Sequence, residues 1–412
     1  MYTHSQKRNI LAAATLFGLF ATLLNVSGCQ NRNLLAEEAK EAAGLRPIQD
    51  DSEWERPGTT LLTNFYNMYN PNVIRVPDPD YPFRMYFFGW ATEICNPGYS
   101  GCDAIYLARS KDLLDWEVWS GKGAWDATMA PETWTPVLAA DDTPYDHWHN
   151  GDPAVVLRDG TYYMAYSATS NLFPEEDDRP GHPHRMILCV MGATSDDGIH
   201  WERTEEPLLL EAPPEMTGDT TETWIGDFHR PSLIWEDGRW RLWFDYWLPE
   251  KGLGMGYAEN HGNFSAPGGF ELQHELREPL LNNWPNPNVI RVEYEKEDGS
   301  QGLRYHSFSD PAGYPPAIGQ PNEGWLGRNI CEAVSEDGIH WEIIGFLTPD
   351  DDAAANQIPE AFVHTKDGQD WIYVFYATQR GGLNEHGHFD YTYDNIRYMR
   401  RPASIDPRAT AQ

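Results

Sequence analysis

One plan recurs five times in this 412-residue chain and limits what it can fold into. A proline with a polar residue before or after it opens a short apolar run, a turn follows, and an aromatic-rich run returns. The plainest copy is His149 to Ala168, HNGDPAVVLRDGTYYMAYSA. Such a unit reads as two antiparallel strands. The five starts are Asn70-Pro71-Asn72, Asp152-Pro153, Arg230-Pro231-Ser232, Asn286-Pro287-Asn288 and Pro359-Glu360, at intervals of 56 to 82 residues. Units of that length cannot bury their own apolar faces, so stacked copies must cover one another in a solenoid or a propeller.

Further short runs rich in β-branched and aromatic residues follow each pair, among them Ala104 to Trp116, Met186 to Trp201 and Asn329 to Trp341. Together they predict an all-β, five-bladed β-propeller with four-stranded antiparallel blades around a central channel, over residues 58–403. Thr59 to Tyr66 is apolar enough for a strand and is expected to complete the last blade, closing the ring and removing open sheet edges. Ser195-Asp-Asp-Gly-Ile-His-Trp201, Ser335-Glu-Asp-Gly-Ile-His-Trp341 and the looser Ser110-Lys-Asp-Leu-Leu-Asp-Trp116 mark the same turn in three blades. Asp and Gly suit the turn and Trp covers a blade edge, so this motif speaks for fold, not chemistry.

Residues 1–28 stand outside that fold. Lys7 and Arg8 precede the apolar run Ile10 to Leu24, which falls short of the roughly 20 residues of a membrane-spanning helix. Val26-Ser27-Gly28-Cys29 then resembles a bacterial lipobox. The expectation is a signal peptide over 1–28, a lipidated Cys29, a tether over 29–57 and a tail over 404–412. Such a protein is exported and lipid-anchored to the bacterial cell envelope, at the outer membrane or cell surface. A formal charge of −33 repels a phosphate backbone, which argues against nucleic acid as a partner. Cys95 and Cys102 flank a short loop and could pair in an oxidising compartment, whereas Cys189 and Cys331 fall in strands and read as buried thiols. The pairs His147/His149, His182/His184 and His386/His388 have no carboxylate spacing beside them that completes a metal site, so no metal ligand is assigned.

In a propeller the innermost strands start on one face, together with the loops between second and third strands. Here those loops are long and polar, Thr92 to Asp103, Thr169 to Arg185, Ser309 to Gly327 and Gln379 to Asp394, which places the functional site on that face. The Asp-Pro start at Asp152, the Pro359-Glu360-Ala361 start and the Ser-x-Asp-Gly-x-x-Trp turns resemble those of the five-bladed propeller glycoside hydrolases of families 43, 32, 62, 68 and 117, over roughly residues 60 to 401. That resemblance implies hydrolysis of an oligo- or polysaccharide by carboxylates at the channel mouth, with inversion by analogy with family 43, and no required cofactor. A structural calcium in the central channel, which some of these families carry, is left open.

Carried over by position, Asp152 and Glu360 are candidate catalytic carboxylates, with Asp227 as the third and Asp245 as its alternative. One such group must protonate the leaving oxygen while the other supports attack at the anomeric carbon. His149, His229 and Arg230 flank the strand starts as candidate substrate contacts, and Asn72 and Asn288 could hydrogen-bond sugar hydroxyls. Trp90, Trp224 and Trp247 could stack on sugar faces. The first and fourth blades start Asn70-Pro71-Asn72 and Asn286-Pro287-Asn288, where these families often have an Asp in the first blade, and Asn cannot act as a general base. Two rival readings follow. One is a glycan-binding lipoprotein without catalysis. The other is a phosphorylase related to family 130, for which Arg185, Arg230 and Arg380 offer basic groups.

Overall fold

The computed structural model describes residues 48, 52–90, 103–140, 145–146, 149–171, 186–209, 224–248, 252–273, 279–296, 299–311, 328–347, 355–379 and 394–409. The lipobox, the tether before Ile48 and the Cys95/Cys102 loop lie outside them, as do Arg185 and Arg380. The described chain is a five-bladed β-propeller. Blade one holds β1 (Leu62–Arg75), β2 (Phe83–Trp90), β3 (Asp103–Ser110) and β4 (Trp116–Gly121), extended by β5 (Ala124–Asp126) and β6 (Leu138–Ala139). Blade two holds β7 (His149–Arg158), β8 (Thr161–Asn171), β9 (Met186–Ser195) and β10 (Glu202–Arg203). In blade three β11 (Trp224–Glu236), β12 (Arg239–Leu248) and β13 (Gly252–Asn260) are followed by β14 (Glu271–Leu272) and β15 (Leu281–Asn282), which share the outer position on β13. Blade four is β16 (Asn288–Glu295), β17 (Gln301–Ser309), β18 (Cys331–Ser335) and β19 (Trp341–Phe346). Blade five has β20 (Ala355–Lys366), β21 (Gln369–Gln379) and β22 (Asp394–Pro402). Its fourth strand is the first half of β1, where Leu62 pairs with Ile396 and Phe65 with Asp394, so the chain closes its own ring.

Each blade is antiparallel. One parallel pairing departs from the plan: the first residues of β11 run beside β9, Trp224 opposite Met186 and Asp227 opposite Leu188, and tie blade three to blade two. The apolar side chains form five clusters, one at each junction between neighbouring blades. Val155 and Met164 meet Tyr86 and Leu107 between blades two and one. Leu233 and Trp240 meet Leu208 and Ala165 between three and two. Strands covered on both faces need near-continuous apolar runs, which is why the second strand of each blade reads FRMYFFGW or WIYVFYAT rather than a clean alternation. Cys189 and Cys331 are buried free thiols in these layers.

The Asp-Gly turns fasten one blade to the next. Asp197 Oδ1 accepts the backbone N–H groups of Ile199 and His200 at 2.8 Å, and Gly198 carries a left-handed φ of 72°. Its carbonyl accepts the Tyr86 hydroxyl of blade one at 2.9 Å. Between blades four and three the same device recurs, with Gly338 O accepting Trp243 Nε1 at 2.9 Å and Asp337 O accepting Arg241 Nη2 at 2.7 Å.

Candidate active site

The five X-Pro starts share a backbone feature. Asn70, Asp152, Arg230, Asn286 and Ile358, each just before its proline, all have φ between 48° and 52°. In β1, β7, β11 and β20 the register slips at this point, between Tyr69 and Asn72, Gly151 and Ala154, His229 and Ser232, and Gln357 and Glu360. These are β-bulges with a left-handed first residue. Each bulge re-aims the residues around its proline, and the residue that follows it lies on the innermost strand: Asn72, Ala154, Ser232, Asn288 and Glu360.

Three of those side chains bind the next blade. Asn72 Oδ1 accepts Val155 N–H at 3.0 Å, Ser232 Oγ accepts Val289 N–H at 2.8 Å and Asn288 Oδ1 accepts Ala361 N–H at 2.8 Å. At Glu360 the pattern inverts. Its Oε2 accepts the amide of Asn72 from blade one at 3.1 Å and the amide of Asn288 from blade four at 2.6 Å. Two N–H donors on Oε2 leave Oε1 as the atom for a proton. Burial pushes the Glu360 carboxyl up to about 8, aided by the charge of Asp152 and opposed by the two amides. A carboxylic acid that keeps its proton at neutral pH has the property a general acid needs.

A charged group lies alongside. Asp152 is fully buried, with His229 Nε2 3.5 Å from its Oδ2 and Arg230 Nε 3.7 Å from its Oδ1. Arg230 Nη1 reaches Asp245 Oδ2 at 3.5 Å, so one guanidinium stands between two carboxylates. Burial raises Asp245 to about 6, Arg230 opposing and Asp152 adding to the shift. Asp310 of blade four, also fully buried, is raised by burial and held down chiefly by Arg328, whose Nη1 is 3.0 Å from its Oδ2. A cation between Asp152 and Asp245 does not fit this arrangement, because Arg230 already supplies the positive charge there. Among the described residues no cluster of three or more His, Cys, Asp or Glu side chains is arranged to hold a metal ion.

Of the candidates read from sequence, Asn72, Asp152, His229, Arg230, Asp245, Asn288 and Glu360 are gathered around the strand starts. For Trp90, His149, Trp224, Asp227 and Trp247 the backbone lies in β2, β7, β11 and β12, and their side chains fall outside what is described. Asp310 and Arg328 were missed. A signal for Asp310 existed, because it follows the run LRYHSFS as Asp245 follows WRLWF.

No protein-family model matches the chain. Among curated proteins a β-1,2-mannobiose phosphorylase from Thermoanaerobacter sp. (strain X514) is 30% identical over 66 residues, 16% of this chain. The chain thus covers 22% of the length of that relative. Among solved structures, one described as a glycoside hydrolase superposes with a TM-score of 0.52 at 15% identity, covering 86% of this chain and 93% of its own. The GH43_1 enzyme from Xanthomonas citri complexed with xylose gives a TM-score of 0.50 at 14% identity, covering 84% and 89%. The fold is that of the five-bladed propeller glycoside hydrolases.

Proposed function

We propose that the protein is a glycoside hydrolase in which Glu360 is the general acid and Asp152 the general base. The observation that carries this is a buried Glu360 on the innermost strand of blade five, raised to about 8 and held through Oε2 by two amides. The proton on Oε1 passes to the glycosidic oxygen as its bond to the anomeric carbon breaks. A water molecule attacks that carbon from the opposite side and gives its proton to Asp152, which inverts the configuration. Blades five and two flank blade one, so the two carboxyl groups approach the channel from separate directions. His229 and Arg230 orient Asp152, and Asp245 balances the guanidinium.

A second reading is favoured by the mannobiose phosphorylase match: phosphate in place of water, with the same acid. Both are tested by turnover of furanosides, pyranosides and plant or algal oligosaccharides by the full chain, with and without inorganic phosphate, beside Glu360→Gln and Asp152→Asn. Phosphate-independent cleavage lost in both variants supports hydrolysis; an absolute phosphate requirement supports phosphorolysis. Unchanged glycan binding by all three proteins with no cleavage would instead indicate a binding module. We further propose that Cys29 carries a lipid that anchors the exported protein to the cell envelope.

A further inference from the structure

Three bulges are held by a side chain from the second half of the preceding blade's second strand or the residue just after it. Ser167 Oγ accepts Arg230 N–H at 2.8 Å, Asp245 Oδ2 accepts Asn286 N–H at 3.3 Å and Asp310 Oδ2 accepts Ile358 N–H at 3.0 Å. Asp310 does more than the other two. Its Oδ1 also accepts the side-chain amide of Asn286. One carboxylate therefore fixes the bulge two residues before Asn288 and the bulge two residues before Glu360. Asn288 and Glu360 are the donor and acceptor of the 2.6 Å hydrogen bond at the proposed acid.

Ile358 makes this clasp consequential. A β-branched residue at φ 48° is sterically disfavoured, so the surroundings must impose the conformation. Arg328 takes part twice. Its guanidinium pairs with Asp310, and its backbone carbonyl accepts Asn356 N–H at 3.0 Å near the start of β20. Both side chains are completely buried. We infer that Asp310 and Arg328 are a positioning pair: they hold the Asn286 and Ile358 bulges in register so that Glu360 stays in its desolvated seat between Asn72 and Asn288. This rests on Glu360 being the acid.

The test reads Glu360 itself rather than turnover. Infrared pH titration of the full chain follows its protonated-carboxyl band, assigned by its loss in Glu360→Gln, in wild type, Asp310→Asn and Asp310→Ala. Wild type is expected to titrate near 8, and both variants, checked for cooperative melting, should titrate away from that value by about one unit or more, lower where water reaches the carboxyl and higher where the Asn288 amide leaves it. Asp310→Asn keeps the shape and one acceptor, so it remains informative if Asp310→Ala does not fold. Folded variants whose Glu360 still titrates near the wild-type value would overturn the positioning role and leave the acid assignment standing. A wild-type Glu360 that titrates as an ordinary carboxyl would overturn the acid assignment, and this inference with it.

Discussion

Glu360 shows how burial and hydrogen bonding compete at one carboxyl. Desolvation raises it to about 8, and the Asn72 and Asn288 amides pull the other way because they stabilise the charged form. As the proposed proton donor, Glu360 must be protonated, so turnover should fall as pH rises through about 8. Replacing Asn288 by Ala removes one stabilising donor, and the alkaline limb of the pH–rate profile should then move to higher pH. The same shift bears on stability. A glutamate ordinarily titrates near 4.5, and Glu360 does so near 8 in the fold. Between those values the unfolded chain ionises while the folded one keeps its proton, so stability falls as pH rises and levels off above 8. Glu360→Gln has no such proton. Its melting temperature relative to wild type should therefore climb between about pH 5 and about pH 9, which calorimetry at both ends can check.

At the scale of elements, the strand starts and turns were legible because their chemistry is local. Proline punctuates the bulge, and the Ser-x-Asp-Gly turn carries its own acceptors in Ser335 and Asp337. What those turns grip was not legible, because Arg241 and Trp243 lie nearly a hundred residues earlier in the chain. Gly338 is committed to that grip: a Cβ there would come within 2.6 Å of Arg241 Nη2, at a φ of 78°. Gly338→Ala should destabilise by about 1–3 kcal/mol, measured by chemical denaturation, with the loss arising between blades three and four. The left-handed conformation at Ile358 was equally hidden. Asn70, Asp152 and Asn286 tolerate it and hint at it, but isoleucine carries no such hint and is held there by Asp310.

Over the whole molecule, ring order decides which residues meet. Glu360 is 288 positions from Asn72 in the chain, yet the two touch because β1 closes blade five and opens blade one. The repeat made the fivefold closure readable from sequence. It could not say that the proposed acid's partners would be the two asparagines of its flanking blades, since Asn72 and Asn288 read as contacts for sugar hydroxyls. The proposed lipid anchor belongs to this scale too: labelled palmitate should be incorporated by the chain in a bacterial host and lost in Cys29→Ser. The central claim, that Glu360 delivers the proton to the leaving group, is tested most directly by leaving-group dependence in Glu360→Gln. A dinitrophenyl glycoside, which needs no protonation to depart, should be cleaved by the variant at close to the wild-type rate, while an alkyl glycoside of the same sugar should lose about 10²–10⁴-fold. Equal losses on both substrates would contradict the account, because the residue would then serve some step other than protonation of the leaving oxygen.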